Sequence, residues 1–375
     1  MILISIPYSI GKKVITGKNN EKRKYHSTDG TGVKILIIQF RPAGDVLLLT
    51  PVVELLKEAV PDAEIHFLVN EKESQLIEHF PLIDTIIPVR KIPRRGLNFL
   101  RYIAATMQLM LRVRRARFDI VIDFIGNPRS AQITFLSRAK MRVGRRVGLR
   151  SLAYNRRVPR PPEQMNTVLK RINHLAPLGI ESAYRPPRLY LSEHDKKFAK
   201  GYVSSLDTDD SRPLVFLAPN SPRPARRWKA ESFMAVGKQL VQEYGAKVLL
   251  AWGPGEEEYT KRIRDGIGGD AEMIPLTNLT GMAAIISHAD LMITNCSGTK
   301  HIANALGVRT ITIYGPTSPL VWNDPDWERN PVLVADIPCI RCERRVCPLD
   351  VHRCMEAVTP DMVMHEVGKL LGASR

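Results

Sequence analysis

The chain has 375 residues, 44% of them hydrophobic and 25% charged, which is the composition of a soluble globular protein and excludes a largely disordered one. No segment reaches the roughly 18 uninterrupted apolar residues of a spanning helix, and the start lacks a secretory pattern, so a cytoplasmic protein is predicted. The formal net charge of +17 favours anionic partners.

The first half of the chain alternates between predicted strands and helices. Residues 1–32 are predicted to be an irregular polar arm that ends in turn residues. The apolar run ILIIQF predicts a strand covered on both faces, and LLLTPVVELLKEAVP has the spacing of one helix. EIHFLVN, DTIIPV and FDIVIDF are further predicted strands, with an amphipathic stretch from Leu97 to Arg117 between the last two.

A second alternation of seven elements follows. Its predicted strands are PLVFLAPN, AKVLLAW, DLMITN and RTITIYG, and its predicted helices are ESFMAVGKQLVQEYG, LTGMAAIISHA and HIANALG. Ser192, with Asp195 three residues later, is a helix N-cap signal and marks a domain boundary near residue 190. The sequence therefore predicts an α/β protein with two doubly wound domains, residues 33–190 and 191–375, and a ligand cleft between them.

Basic residues are concentrated in the first domain. Residues 90–118 contain nine basic residues and no acid, and residues 124–162 contain ten and no acid. A solvated helix face is one interpretation. Nucleic acid is another, but the chain has no zinc-finger, RNP or basic-zipper pattern. An anionic membrane surface or a phosphorylated glycolipid fits the clusters equally well.

Two strand-to-helix turns carry glycine and offer anion sites. In RPAGDV, Gly44 precedes Asp45, and in NCSGTKHIANALG, Ser297 and Gly298 precede His301. The second turn could hold a diphosphate at the helix N-terminus, or could be an ordinary capped helix with a buried histidine. Neither turn is GxGxxG or GxxxxGK[ST], so a nicotinamide enzyme or a P-loop ATPase is not supported.

Other candidate residues have two interpretations each. Arg226 and Arg227 follow a predicted strand and could clamp phosphate oxygens or lie on the surface. Asp45 is a lone carboxylate where a predicted strand hands over to a helix, and it could be the N-cap of that helix. In the segment 339–354, Cys339, Cys342, Cys347 and Cys354 would suffice for zinc by number, with His352 as a fifth candidate, although packed thiols are expected in a cytoplasmic protein.

The chain resembles the heptosyltransferase family of bacterial glycosyltransferases over roughly residues 33–370. The resemblance is carried by KILIIQFRPAGDVLLLTPVVELLKEAVP, RRWKAESF, WGPGEEE, NCSGTKHIANALG, IYGPTSP and the cysteine cluster. It implies the GT-B architecture, in which two Rossmann-like domains face each other across a cleft. It also implies transfer of heptose from ADP-heptose to the inner core of lipopolysaccharide, in the building of the cell envelope.

The resemblance also implies roles for individual residues. Asp45 matches the catalytic aspartate and would act as general base in an inverting reaction, and Gly44 would lie on the acceptor side. No cofactor or divalent metal is expected. The partners would be the nucleotide sugar and the anionic core acceptor, with peripheral contact at the inner face of the inner membrane and no nucleic acid. The donor would lie on the second domain, near Ser221, Arg226, Glu256, Thr277, Ser297, Gly298 and His301.

One position departs from the family pattern. Where members usually have Asn-Asp-Ser-Gly, this chain has Asn295-Cys296-Ser297-Gly298. A thiol does not accept hydrogen bonds from sugar hydroxyls as a carboxylate does. Two alternatives follow: a transferase of the same fold with a different nucleotide sugar, and a non-catalytic protein that binds anionic glycolipid.

Overall fold

The computed structural model describes residues 32–93, 95–96, 98–206, 212–349 and 352–372. The predicted polar arm lies outside the described residues, apart from its last residue, Gly32. Two parallel sheets of six strands dominate the described part of the chain, and each has helices on both faces. The predicted α/β class with two doubly wound domains is confirmed.

The first sheet has the strand order β3-β2-β1-β4-β5-β6, and every pairing is parallel. Its central strand β1 is a continuous buried apolar run, as a strand covered on both faces requires. The strands are β1 (Lys34–Gln39), β2 (Glu64–Asn70), β3 (Thr85–Val89), β4 (Ile120–Asp123), β5 (Met141–Arg145) and β6 (Arg156–Val158). The helices are α1 (Ala43–Leu47), α2 (Thr50–Ala59), α3 (Glu71–Ser74), α4 (Asn98–Arg115), α5 (Pro128–Leu136) and α6 (Thr167–Ile172).

The helix predicted for LLLTPVVELLKEAVP is confirmed as α2, and the predicted turn RPAGDV instead contains a short helix, α1. The two helices do not join, because Pro51 lacks the N–H that would donate to the Leu47 carbonyl. The Thr50 hydroxyl donates to that carbonyl instead, at 2.9 Å. Helix α1 is therefore a separate short helix after the carboxyl end of β1.

The second sheet has the order β12-β11-β10-β7-β8-β9 and is also parallel. The strands are β7 (Leu214–Ala218), β8 (Lys247–Leu250), β9 (Ala271–Met273), β10 (Leu291–Asn295), β11 (Arg309–Tyr314) and β12 (Val332–Val334). The helices are α7 (Glu193–Ser204), α8 (Ala230–Tyr244), α9 (Glu257–Ile267), α10 (Leu279–Ile286), α11 (Gly298–Ala305), α12 (Pro319–Trp322), α13 (Arg353–Glu356) and α14 (Pro360–Gly372).

The strict alternation of seven elements predicted for the second half was incomplete, because α9 and β9 lie between β8 and α10. The predicted N-cap at Ser192 is confirmed, since its hydroxyl accepts from the Asp195 N–H at 2.9 Å. Helix α7 then packs against α10 of the second sheet. The exact boundary near residue 190 stays a prediction.

Helix α1 joins the two halves of the protein. It packs against α11, and its Leu47 side chain belongs to an apolar cluster formed mostly by the second half. A second contact lies at the start of α6, where Asn166 donates to the Asn323 carbonyl at 2.8 Å and Thr167 donates to that of Val321 at 2.8 Å. These contacts bring the carboxyl edges of the two sheets together. None of the described helices is long and apolar enough to cross a membrane.

Candidate functional site

The two sheets each reverse their strand order at one point, and ligands of doubly wound sheets bind outside the carboxyl ends of the strands there. In the first sheet the reversal lies between β1 and β4, and Asp45 follows β1. In the second it lies between β7 and β10, which are followed by the loop of Arg226 and by Ser297. The packing of α1 on α11 brings these two crevices to one cleft.

Asp45 lies inside α1 and is paired with an arginine from a distant helix. Its Oδ1 accepts a hydrogen bond from Arg171 Nη2, and both side chains are largely buried. Among the described residues no donor reaches Oδ2. The alternative of an N-cap is wrong, because Pro42 is the N-cap of α1 and Leu49 that of α2. The ion pair therefore holds one carboxylate oxygen and leaves the other available.

Arg171 is surrounded by further cationic groups. Burial lowers the pKa of its guanidinium, Asp45 opposes that effect, and Arg41 and Arg145 add to it by repulsion. The pKa of Arg145 is lowered by burial and then by Arg160 and Arg41. The Nε of Arg145 is buried and has no hydrogen-bond partner among the described residues. Arg41, Arg145 and Arg160 form no ion pair with any described carboxylate, so the Asp45 side of the cleft offers a surface suited to an anion.

Gly44 lies very close to His301 on the other side of the cleft. A Cβ at this position would lie 2.7 Å from Cδ2 of His301, which is shorter than any ordinary carbon contact. The glycine is therefore required by close approach between α1 and α11. His301 itself is buried, and burial, followed by repulsion from Lys300 and Arg226, lowers its pKa well below the usual value. The imidazole is neutral at physiological pH.

The N-terminus of α11 is arranged as an open anion site. Ser297 is the N-cap, but its hydroxyl caps no backbone N–H of its own helix and is buried without a partner among the described residues. A Cβ at Gly298 would meet nothing within 4 Å, so space lies above the first turn. Arg226 Nη1 donates to the Cys296 carbonyl at 3.3 Å, and its Nε is unpartnered among the described residues. Together these groups could hold a diphosphate.

The remaining predicted donor residues lie at the same edge of the second sheet. Ser221 follows β7 and is buried, with its Oγ accepting from the Arg223 N–H at 3.3 Å. Glu256 follows β8, and its Oε2 accepts from the Gly253 N–H at 3.0 Å. Burial raises the pKa of Glu256, although that hydrogen bond opposes it. Thr277 follows β9, immediately before α10.

Cys296 is buried beside two polar groups that the sequence analysis missed. Burial raises the pKa of Tyr314 well above its usual value, and Cys296 adds to this by charge and hydrogen bonding. Lys300 Nζ donates to the Tyr314 hydroxyl at 2.9 Å and to the Trp322 carbonyl. Burial lowers the pKa of Lys300 to about 8. The thiol thus occupies a polar niche that a carboxylate could also fill.

The four clustered cysteines line one cavity of about 170 Å³ together with His352. Cys354 is buried, whereas Cys339 and Cys342 are exposed and Cys347 is half-buried, so the expectation of packed thiols was wrong for most of the cluster. Burial, and then the neighbouring thiols, raise the pKa of Cys354 to about 11. Within the described ranges, no three His, Cys, Asp or Glu side chains converge to hold a metal ion.

The structure adds Arg171, Arg145 and Lys300 to the predicted candidates. Arg171 lies 126 positions from Asp45, and no local pattern links the two. Arg145 lies in the second basic run, which identified the region but not the residue. Lys300 lies within the quoted NCSGTKHIANALG turn, between Gly298 and His301, and its full burial was the property that the sequence did not reveal.

Comparison with known proteins gives one consistent family. The model of glycosyltransferase family 9 (heptosyltransferase) matches residues 106–352, well over half of the chain. Lipopolysaccharide heptosyltransferase 1 of Escherichia coli O18:K1:H7 is 28% identical over 295 residues, which cover 76% of this chain and 87% of that protein.

Two solved structures share the fold. A glycosyl transferase family 9 protein from Veillonella parvula has a TM-score of 0.80 at 22% identity, covering 90% of this chain and 97% of that one. The ADP-heptose lipopolysaccharide heptosyltransferase II of Escherichia coli has a TM-score of 0.73 at 20% identity, covering 92% and 100%. With the two facing doubly wound sheets and the match of the family model, this chain belongs to glycosyltransferase family 9, the heptosyltransferase family.

Proposed function

We propose that this glycosyltransferase transfers heptose from ADP-heptose to the inner core of lipopolysaccharide, with inversion at the anomeric carbon and Asp45 as general base. The observation that carries the proposal is the contact between Gly44 and His301. It sets α1, the helix that bears Asp45, against α11, the helix whose N-cap is Ser297. The names of the relatives, which include lipopolysaccharide heptosyltransferase 1 and ADP-heptose heptosyltransferase II, supply the sugar, nucleotide and acceptor.

Asp45 suits the proton transfer that an inverting reaction needs. The acceptor hydroxyl forms a bond to the anomeric carbon as the bond from that carbon to the β-phosphate oxygen breaks. The hydroxyl proton passes to a carboxylate oxygen, and the bonding electrons leave with ADP. In this assignment Oδ2 takes the proton, while Arg171 fixes Oδ1 and so orients the carboxylate.

The leaving group would be stabilised on the other side of the cleft. Negative charge grows on the β-phosphate as the sugar departs, and Arg226 with the N-terminus of α11 supplies fixed positive charge and N–H donors. The unpartnered Ser297 hydroxyl adds another donor. We expect no divalent metal to be needed, because these groups provide the charge that a metal would supply.

The arginines beside Asp45 suit an anionic acceptor. Arg41, Arg145 and Arg160 influence one another electrostatically and lie on the acceptor side, where carboxylates or phosphates of the core sugar would pair with them. The net charge of +17 would speed encounter with an anionic surface. We therefore place the enzyme in the cytoplasm, in peripheral contact with the inner face of the inner membrane.

The test uses purified protein with ADP-heptose and a heptose-free core acceptor, with and without a metal chelator. We expect ADP release, a product heavier by one heptose, inverted configuration by NMR, and rates that the chelator leaves unchanged. Loss of transfer in chelator would overturn metal independence. Retained configuration would overturn the direct displacement, and absence of any product would overturn the substrate assignment.

A second candidate, a different nucleotide sugar on the same machinery, is favoured by Cys296. Its thiol lies beside Tyr314 in the position where the family usually has aspartate. A donor screen in which another nucleotide sugar turns over and ADP-heptose does not would establish this alternative. If ADP-heptose is the preferred donor, the chain tolerates Cys296 in place of aspartate because Lys300 does not depend on a carboxylate there. Its ammonium group already donates to the Tyr314 hydroxyl and to the Trp322 carbonyl.

A further inference from the structure

Helix α4 has a second apolar face that no other part of the described chain covers. Its inward face, with Leu109, Met110 and Val113, is buried against the first sheet. On the opposite side Leu100 is 69% exposed, Met107 56% and Leu111 47%. These residues are seven and four positions apart, so they form one stripe along the outside of the helix.

Exposed apolar side chains also occur on neighbouring elements. Helix α4 packs against α5, which packs against the short 3-10 helix Gly148–Ala153. Large apolar side chains are exposed on both neighbours: Phe135 at the end of α5, and Leu149 and Leu152 on the 3-10 helix. We call this set, from Leu100 to Leu152, the apolar face. A group of exposed apolar side chains on elements that pack together is typical of a contact with a protein or a membrane.

Arginines border the apolar face. Arg101, Arg112 and Arg115 lie on α4 beside the stripe, all exposed, and none of them forms an ion pair among the described residues. No acidic residue occurs from residue 90 to residue 118. Two copies of this chain would repel each other if these faces met. An anionic lipid surface instead satisfies both the apolar side chains and the positive rim.

We propose that the apolar face of α4, α5 and the 3-10 helix inserts into the headgroup region of an anionic lipid bilayer. Leu100 lies in the first turn of α4, which follows β3, and Leu149 follows β5, so both are near the carboxyl edge of the first sheet. Asp45 lies at the same edge. Docking in this orientation turns the cleft towards the bilayer, where a lipid-linked acceptor presents its sugars. The choice of a lipid partner rests on the proposed function; the surface itself does not.

The experiment measures binding of the full chain to phosphatidylcholine vesicles with and without roughly a third phosphatidylglycerol, by flotation. The test variant is the pair Leu100→Ser and Leu111→Ser. The matched control is Phe198→Ser and Met362→Ser, which removes two exposed apolar side chains from the second half. A charge variant carries Arg112→Gln and Arg115→Gln.

We expect wild-type protein to bind the anionic vesicles, the test pair to bind at least about tenfold more weakly, and the control pair to match wild type. The charge variant should bind more weakly to anionic vesicles, with part of the wild-type binding surviving high salt. Equal binding by wild type and the test pair would overturn insertion, as would no binding by wild type. A wild-type dimer that the test pair dissociates in ultracentrifugation would assign the face to self-association instead.

Transfer to a delipidated soluble acceptor separates this inference from the proposed function. We expect the test pair to transfer heptose to that acceptor at the wild-type rate, because α4 carries none of the groups assigned to chemistry. Wild-type protein that binds vesicles but transfers nothing would contradict the proposed function and leave the docking surface intact. Wild-type protein that transfers heptose but does not bind vesicles would contradict the docking surface and leave the proposed function intact.

Discussion

Substitution of Gly44 by alanine tests whether the close approach of α1 and α11 is needed for turnover. The new Cβ would lie 2.7 Å from Cδ2 of His301. An ordinary carbon contact is about 3.4 Å or longer, so α1 and α11 must separate by about 0.7 Å or the imidazole must rotate. Overpacking of this kind costs about 1–3 kcal/mol of stability. A displacement near 1 Å at a catalytic group lowers turnover by up to about a hundredfold.

The assay compares kcat and the free energy of unfolding for wild type, Gly44→Ala and Gly201→Ala. Gly201 is in α7, and a Cβ there would meet nothing within 4 Å, so this control should be as active as wild type and equally or more stable. We expect Gly44→Ala to lose roughly tenfold to a hundredfold in kcat while remaining folded. A kcat equal to wild type, with the expected loss of stability, would refute the claim that this contact positions Asp45.

Three further predictions address the ion pair, the donor turn and the buried histidine. Arg171→Gln should lower the free energy of unfolding, measured in urea, by about 3 kcal/mol, because it leaves the largely buried Asp45 carboxylate unpaired. The double variant with Asp45→Asn should recover part of that loss. Ser297→Ala should raise KM for the donor about fivefold to tenfold. Stability should not change, because the Ser297 hydroxyl caps no N–H of its own helix, and a lower unfolding midpoint would contradict that expectation. Burial lowers the pKa of His174 from 6.5 to about 4, so the unfolded chain binds the proton first and stability falls as the pH drops from about 6.5 towards 4. His174→Gln should remove up to about 3 kcal/mol of that pH dependence, and an unchanged slope would refute the assignment.

The central strands of both sheets were predictable because buried parallel strands are nearly continuous apolar runs, whereas β5, β6 and β12 are short or basic and were missed. ILIIQF and DLMITN both became central strands, β1 and β10, beside the two crevices. Helix α9 was missed because its sequence EEYTKRIRDGI is largely charged, and β9 because it has only three residues. Helix α1 was missed because it has only five residues and its segment RPAGDV, with a proline and a glycine, is typical of a turn.

The candidate site was predictable where it is local in sequence. Asp45 lies in the first short helix after β1 and Ser297 lies two residues after β10, and the rule that ligands bind at carboxyl ends of strands identified both regions. The partner of Asp45 was not predictable, because Arg171 reaches it only through the packing of α6 against the first sheet. Nor did periodicity predict the second apolar face of α4, since an amphipathic pattern does not reveal which side a neighbour will cover.

The most direct test of Asp45 as general base is the turnover of Asp45→Asn, measured with ADP-heptose and a heptose-free core acceptor. The control is Asp62→Asn, which changes an exposed residue of the same half. We expect a loss of roughly 10²–10⁴ in kcat for Asp45→Asn, with unchanged donor affinity and a fully active control. The variant should still fold but lose stability, because Arg171 is left without its carboxylate partner. A kcat for Asp45→Asn within about threefold of wild type would show that Asp45 does not take the proton, since a general base contributes far more than that.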